Sequence, residues 1–150
     1  MSHGRLPLAR LPYGLLPCAV WALTRTALLL CVFHVFTVPG PDVTVDVSVI
    51  YRGWYETLLT GTYPLDDVTW QYPPGAALAI LSPALLPFWE YATAFYALVL
   101  LCDAVVCGLL LYAGRRPGMR AAGAWVWIVG VPLLWPTVYA RYDLMVTAVA

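Results

Sequence analysis

Lysine is missing from this 150-residue chain, and all eight basic residues are arginines. Charge of either sign is scarce, at 11% of the residues against 62% hydrophobic ones. A chain so poor in charge cannot cover a globular core with polar surface. The composition therefore excludes an ordinary water-soluble domain and predicts an integral membrane protein whose apolar residues face lipid. The formal net charge of zero is a sum over segregated regions, and nothing in it points to nucleic acid. Metal-type cysteine spacing is missing too. Cys18, Cys31, Cys102 and Cys107 lie in apolar runs without CxxC or Cys/His patterns, which reads them as small hydrophobes. No small-residue cleavage site follows the first apolar run, so that run reads as a retained span and not a leader. No internal repeat is visible, which argues against a transporter built from duplicated halves.

What the chain does have is one long polar and aromatic interval, 39–75, in otherwise oily sequence. It holds Asp42, Asp46, Glu56, Asp66 and Asp67, and with Arg52 as the only cation its formal charge is −4. Within it Val47, Ile50, Tyr51, Trp54, Tyr55, Leu58 and Leu59 recur at helical spacing opposite Ser48, Arg52, Glu56 and Thr60. This predicts an amphipathic helix from about Asp46 to Gly61, with its Trp and Tyr side lying in the headgroup layer. The stretch from Thr62 to Gln71 reads as a loop.

Arg5 and Arg10 precede the first apolar run and no acid accompanies them, so the positive-inside tendency puts the N-terminus in the cytoplasm. A first span is predicted over about 15–38, long enough for ~30 Å of hydrocarbon, with the Pro39-Gly40-Pro41 region ending it. The segment 73–88 is short and holds Pro73, Pro74, Pro83 and Pro87. If it crossed, the Arg115, Arg116 and Arg120 cluster would face outward, so it reads as a juxtamembrane or re-entrant helix. Spans are predicted over 91–113 and 121–138. A further apolar run from Leu144 is cut after seven residues, as the start of another span in a gene fragment would be. The expected fold is all-α and polytopic, a single membrane domain with the interval 39–75 outside.

Several side chains could carry chemistry. Asp46, at the head of the amphipathic helix and at the water boundary, reads either as an N-cap or as a general base, with Asp42 as its alternate. Asp66 and Asp67 are either solvated turn acids or ligands of a divalent cation; the solvated reading is favoured and no metal or other cofactor is required. Arg25 and Asp103 each lie near the middle of a span, where an unpaired charge costs at least ~2.5–3.5 kcal/mol. Arg25 is ~15 Å from the inner end of its span and Asp103 ~18 Å from the outer end of its own. This matched depth favours a structural ion pair over a proton or ion path. Arg141 and Arg52 are candidate phosphate ligands, with Tyr72 and Asp143 beside them; the alternative for Arg141 is a snorkelling interfacial arginine. His34 reads as packing.

The opening Asp46-Val47-Ser48-Val49-Ile50-Tyr51, the turn Leu59-Thr60-Gly61-Thr62-Tyr63-Pro64, the segment Trp70-Gln71-Tyr72-Pro73-Pro74-Gly75 and the exit Arg141-Tyr142-Asp143 carry a resemblance. In order and spacing they resemble the N-terminal part of the GT-C class of membrane glycosyltransferases. The match is most similar to the glycosyltransferase 87 family of polyprenyl-phosphate-sugar-dependent enzymes. Leu101-Cys102-Asp103 is also similar to the GPI mannosyltransferase branch. The resemblance covers most of the chain after Arg25. It implies an inverting hexosyltransferase of the cell envelope, passing mannose or a similar hexose or pentose from a polyprenyl-phosphate-linked donor to a lipid or glycan acceptor. The reaction would lie at the outer face of the plasma membrane, with Asp46 as the base. Members of the family are longer and complete the donor site with later spans, which implies that this chain alone is inactive. The rival reading is a non-catalytic membrane scaffold or transporter fragment in which Arg25 and Asp103 are the functional pair. An enzyme should gather Asp46, Tyr72 and Arg141 around one outward cavity, whereas a transporter should open a polar path to the bilayer midplane.

The segregation of arginines predicts that single cysteines replacing Thr62 and Met119 label from opposite sides of the membrane with an impermeant thiol reagent. Labelling from one side would overturn the topology.

Overall fold

The computed structural model describes residues 14–37, 39–64, 67–116 and 121–150. Arg5, Arg10, Val38, Asp66, Met119 and Arg120, named above, lie outside them. The described residues are all-helical, with no strand among them.

Helix α1, Leu15–Val32, is 18 residues long, or ~27 Å. It stops six residues short of the expected 38, well before the prolines. The Val35 amide donates to the Leu30 carbonyl (2.9 Å) and the His34 amide to that of Cys31 (3.0 Å), the paired bonds that close a helix when the residue past its cap turns left-handed. That residue is His34, at φ 56. The position usually takes glycine, because a Cβ there costs roughly 1–2 kcal/mol. His34 is not a packing residue either: its side chain is 59% exposed, and its Nε2 lies 3.1 Å from the Thr44 hydroxyl.

The amphipathic segment forms where predicted but in two parts. A π-helical turn, Asp46–Tyr51, runs into α2, Arg52–Leu59, and Gly61 at φ 80 ends it. Val47, Tyr51 and Trp54 are buried, while Leu59, expected on the same face, is exposed. The aromatic side is covered by protein instead of headgroups. Tyr51 meets Phe95 and Tyr142 at centroid distances of 5.7 and 6.1 Å, and Trp54 meets Trp70 at 4.9 Å. Distant segments supply that cover, which helical periodicity cannot reveal.

Helix α3, Ala76–Leu81, and the 3-10 turn Ser82–Leu85 together measure ~15 Å or a little more, well short of a ~30 Å crossing. They pack on α4, where the Tyr91 hydroxyl donates to the Ile80 carbonyl at 3.2 Å. Helix α4, Tyr91–Ala113, has the predicted bounds, and the Glu90 carboxylate caps it by accepting from the Ala92 and Thr93 amides. Helix α5, Ala122–Leu133, has only 12 residues, ~18 Å, against the span expected over 121–138. Pro136 lacks an amide hydrogen and bars its predecessor from the α region. The helix stops ahead of it, Trp135 sits at φ 63, outside the extended region that a following proline favours, and the chain re-forms as the 3-10 turn Pro136–Val138, followed by α6, Asp143–Val149.

Helices α1 and α4 are long and apolar enough to cross a membrane. They are antiparallel: a Cβ on Gly14 would come within 3.1 Å of the Arg115 guanidinium, and at the other end Phe33 meets Tyr96 edge-on at 5.5 Å. Arg115 and Arg116 thus lie at one end of the bundle and the acidic interval at the other.

Arg25 and Asp103 meet between them. Arg25 Nε donates to Asp103 Oδ2 at 2.7 Å and Nη2 to Oδ1 at 3.2 Å, with the side chains 1% and 0% exposed. The same carboxylate accepts from Trp21 Nε1 (3.1 Å), Trp127 Nε1 (2.6 Å) and the Tyr139 hydroxyl (2.9 Å). Arg25 Nη1 donates to the Ile128 carbonyl at 2.7 Å. That carbonyl needs an outside donor, because its partner four residues on would be Pro132, which has no amide hydrogen. The guanidinium therefore fills a vacancy that the proline creates.

Leaving one buried charge unpaired costs about 3–5 kcal/mol. Arg25→Met or Asp103→Leu alone is expected to destabilise by that order, and the double replacement by markedly less, read by unfolding in detergent as a double-mutant cycle. Additive effects would show that the two charges are not coupled.

Candidate active site

The π-helical turn carries Asp46 as its first residue. It does not cap the helix, since Val45 holds the cap position and no side-chain cap bond forms. The N-cap alternative is thereby removed. The Asp46 carboxylate, 41% exposed, faces Arg141 instead, with Nη1 to Oδ2 at 3.9 Å. Arg141 follows the Pro136–Val138 turn. Its Nη2 donates to the Tyr72 hydroxyl at 3.2 Å and its Nε to Asp143 Oδ2 at 3.3 Å. The Tyr72 hydroxyl lies 3.4 Å from that of Tyr51. Burial pushes the Tyr51 hydroxyl far above the usual phenol range, so Tyr51 acts as a neutral hydrogen-bonding group.

These groups bound one cavity of about 270 Å³, lined by Asp46, Tyr51, Thr69, Gln71, Tyr72 and Arg141 among others. It offers a carboxylate that can take a proton opposite a guanidinium, phenols and an amide that can donate hydrogen bonds. The Asp46–Arg141 pair is long and partly exposed. Such pairs are worth ~0–1 kcal/mol, so an incoming ligand can separate them at little cost.

The other expected site residues fall elsewhere. Arg52 points away from this cavity: Nε donates to Glu56 at 3.1 Å and Nη1 lies 3.6 Å from Glu90. The helical face that carries Arg52 is the one opposite the aromatic side, so a shared loop did not mean a shared site. Asp143 touches the cavity only through Arg141. Arg25 and Asp103 are sealed in the bundle. Asp42 Oδ1 accepts from the Thr44 amide (2.9 Å) and hydroxyl (2.7 Å). Asp67 Oδ1 does the same with Thr69, at 2.8 and 2.6 Å, while its Oδ2 accepts from Trp54 Nε1 at 2.8 Å. Both oxygens of Asp67 thus brace the loop, and among the described residues no three His, Cys, Asp or Glu side chains gather as a metal site.

Tyr51 is the residue whose role the periodicity hid. It falls on the apolar face at α spacing, yet the π turn, with its i→i+5 bonds, lets it line the same cavity as Asp46. Trp127 and Tyr139, which the sequence offers as interfacial or packing aromatics, and Trp21, which it does not single out, all donate hydrogen bonds to the Asp103 carboxylate.

No protein-family model, curated protein or solved structure matches the chain.

Hydrogen bonds from the Thr44 hydroxyl and amide lower the Asp42 pKa below its ordinary 3.8, and those from Thr69, then Trp54, lower that of Asp67. Because folding depresses both values, each brace contributes its stability above about pH 3.8 and loses it as the pH falls through the folded value. The Thr44 and Thr69 amide resonances are therefore expected to titrate with midpoints under 3.8. Midpoints at or above that value would show that the braces do not form.

Proposed function

We propose that this protein is a membrane glycosyltransferase of the GT-C class that transfers a sugar, mannose or a close relative, from a polyprenyl phosphate to a lipid or glycan hydroxyl. In this reading α1 and α4 cross the bilayer, and α5 continues outward through the broken segment at Trp135. Non-helical backbone is tolerated at membrane depth where protein buries it, and Val138, Tyr139 and Ala140 are buried. The N-terminus and the arginine end face the cytoplasm, and the interval 39–75 faces outward. The sequence resemblance to glycosyltransferase 87 supplies the reaction class.

The observation that carries the reading is the shared cavity of Asp46, Tyr72 and Arg141 at the end of the bundle opposite Arg115 and Arg116. Asp46 takes the acceptor hydroxyl proton as that oxygen attacks the anomeric carbon. The bond from the anomeric carbon to the phosphate oxygen breaks on the opposite face, which inverts the centre. Charge gathers on the leaving polyprenyl phosphate, where the Arg141 fork and the Tyr72 hydroxyl stabilise it. A prenyl chain can stay in lipid throughout, since the cavity lies at the end of the apolar helices. The saturation and burial of the Arg25–Asp103 pair support a structural role for it over a transport path.

Asp46→Asn is the sharpest test, because Asp46 makes no cap bond and the isosteric amide should leave folding intact. Transfer measured with a polyprenyl-phosphate sugar, in membranes expressing the protein, is expected to fall ~10²–10⁴-fold, while Arg52→Gln, whose side chain faces Glu56 and Glu90, keeps it. Ordinary turnover by Asp46→Asn would remove the base.

A further inference from the structure

A second cavity, of about 260 Å³, opens where α1 ends, with His34, Thr37, Asp42, Thr44 and Trp135 among its lining. Its size is close to the ~300 Å³ at which small-molecule sites begin. A relay of polar groups runs along it. The Thr44 hydroxyl donates to Asp42 Oδ1 at 2.7 Å, which leaves the Thr44 oxygen to accept from His34 Nε2 at 3.1 Å. Asp42 Oδ2 lies 3.8 Å from the same ring nitrogen, and the His34 and Asp42 side chains remain 59% and 48% exposed. Trp135 lines the cavity too and is exposed.

Among the described residues only two non-glycine residues have positive φ, His34 at 56° and Trp135 at 63°, and both line this cavity. Glycine would fit either backbone with less strain. What the strained residues bring to the lining is a histidine and a tryptophan. Strain of this kind persists where the surrounding structure over-determines it, and it clusters at ligand sites.

The chemistry selects a ligand class. Among the described residues no arginine lines the cavity, and its carboxylate accepts hydrogen bonds from the Thr44 amide and hydroxyl, which disfavours a phosphate. The apolar indole and the acceptor-rich relay suit a ring with hydroxyls on its edge and C–H groups on its face. We propose that this cavity binds a neutral saccharide ring, the sugar of the acceptor on the glycosyl-transfer reading, on which this proposal rests. The Thr44 carbonyl accepts from the Val47 and Ser48 amides, at 3.1 and 3.0 Å. The turn that builds the saccharide site is thereby also the start of the helix that carries Asp46, so the two sites form one braced unit.

The test is saturation-transfer NMR on the protein in a sugar-free detergent, with methyl α-D-mannopyranoside and methyl β-D-glucopyranoside as probes and glycerol as the control. Saturable binding of at least one glycoside is expected, weakened about tenfold or more in His34→Gly and in Trp135→Gly. Both variants should keep or raise the thermal midpoint, because glycine relieves the φ strain. Asp46→Asn should bind the glycoside as the natural protein does. Unchanged affinity in both glycine variants, equal binding of glycerol, or no saturable glycoside binding would each overturn the proposal. The two readings fail separately. Glycoside binding that persists in an Asp46→Asn protein of normal turnover removes the catalytic assignment only, and Asp46-dependent transfer without glycoside binding removes this site only.

Discussion

The Asp103 carboxylate is the point at which the helices are joined. A charge buried to this degree is tolerated only when it is paired and when its remaining lone pairs are filled. Here five hydrogen bonds from four side chains fill them. Trp21 and Arg25 come from α1, Trp127 from α5 and Tyr139 from the segment beyond the Trp135 break. Arg25 in turn satisfies the carbonyl that Pro132 leaves open. An apolar interface between three helices would tolerate sliding, whereas this set of donors has one register. Its effect reaches the candidate active site through the backbone, since Tyr139 is anchored on Asp103 two residues before Arg141 presents its guanidinium to Asp46 and Tyr72.

Around the cavity, rigidity comes from aromatic packing and carboxylate braces. Tyr51, Trp54, Trp70, Tyr72 and Tyr142 contact one another edge-on, tilted or stacked, at 4.9 to 6.5 Å, and such pairs contribute ~0.5–1.5 kcal/mol each beyond their burial. Asp67 ties the loop to Trp54, and Asp42 shapes the turn ahead of Asp46. Acidic residues in the interval thus divide by role. Among the described residues two are consumed in holding the backbone and Glu56 pairs with Arg52, while the Asp46 carboxylate has only a loose ionic partner. That division, more than the acidity of the interval, singles out Asp46.

Much of the helical architecture was legible in the residues. The all-α class, the bounds of α4, the stop at Gly61 and the shortness of the segment after Pro73 follow from hydropathy, glycine and proline, which act within a turn or two of where they stand. The meeting of Arg25 and Asp103 was legible for a different reason: a buried charge must have a partner, and the helices offered only one at the same depth. Asp46, Tyr72 and Arg141 were expected around one cavity, and the structure lines one cavity with them.

The remainder depended on groups far apart in the chain. The end of α1 was set by a left-handed His34 held by Thr44, at a position that usually takes glycine, and α5 stopped at Leu133, ahead of a Trp135 whose positive φ nothing in its residue type signals. The aromatic face of the amphipathic segment looked ready for headgroups because its periodicity is the same whether lipid or Phe95 covers it. Arg52 and Arg141 were equivalent as cations in the sequence, and only the fold turned one toward Glu56 and Glu90 and the other toward Asp46. Local propensity and the cost of burying charge were enough to determine which segments are helical and which charges must pair. The choice among chemically identical partners belongs to tertiary structure, because it depends on distances that close only when the helices pack.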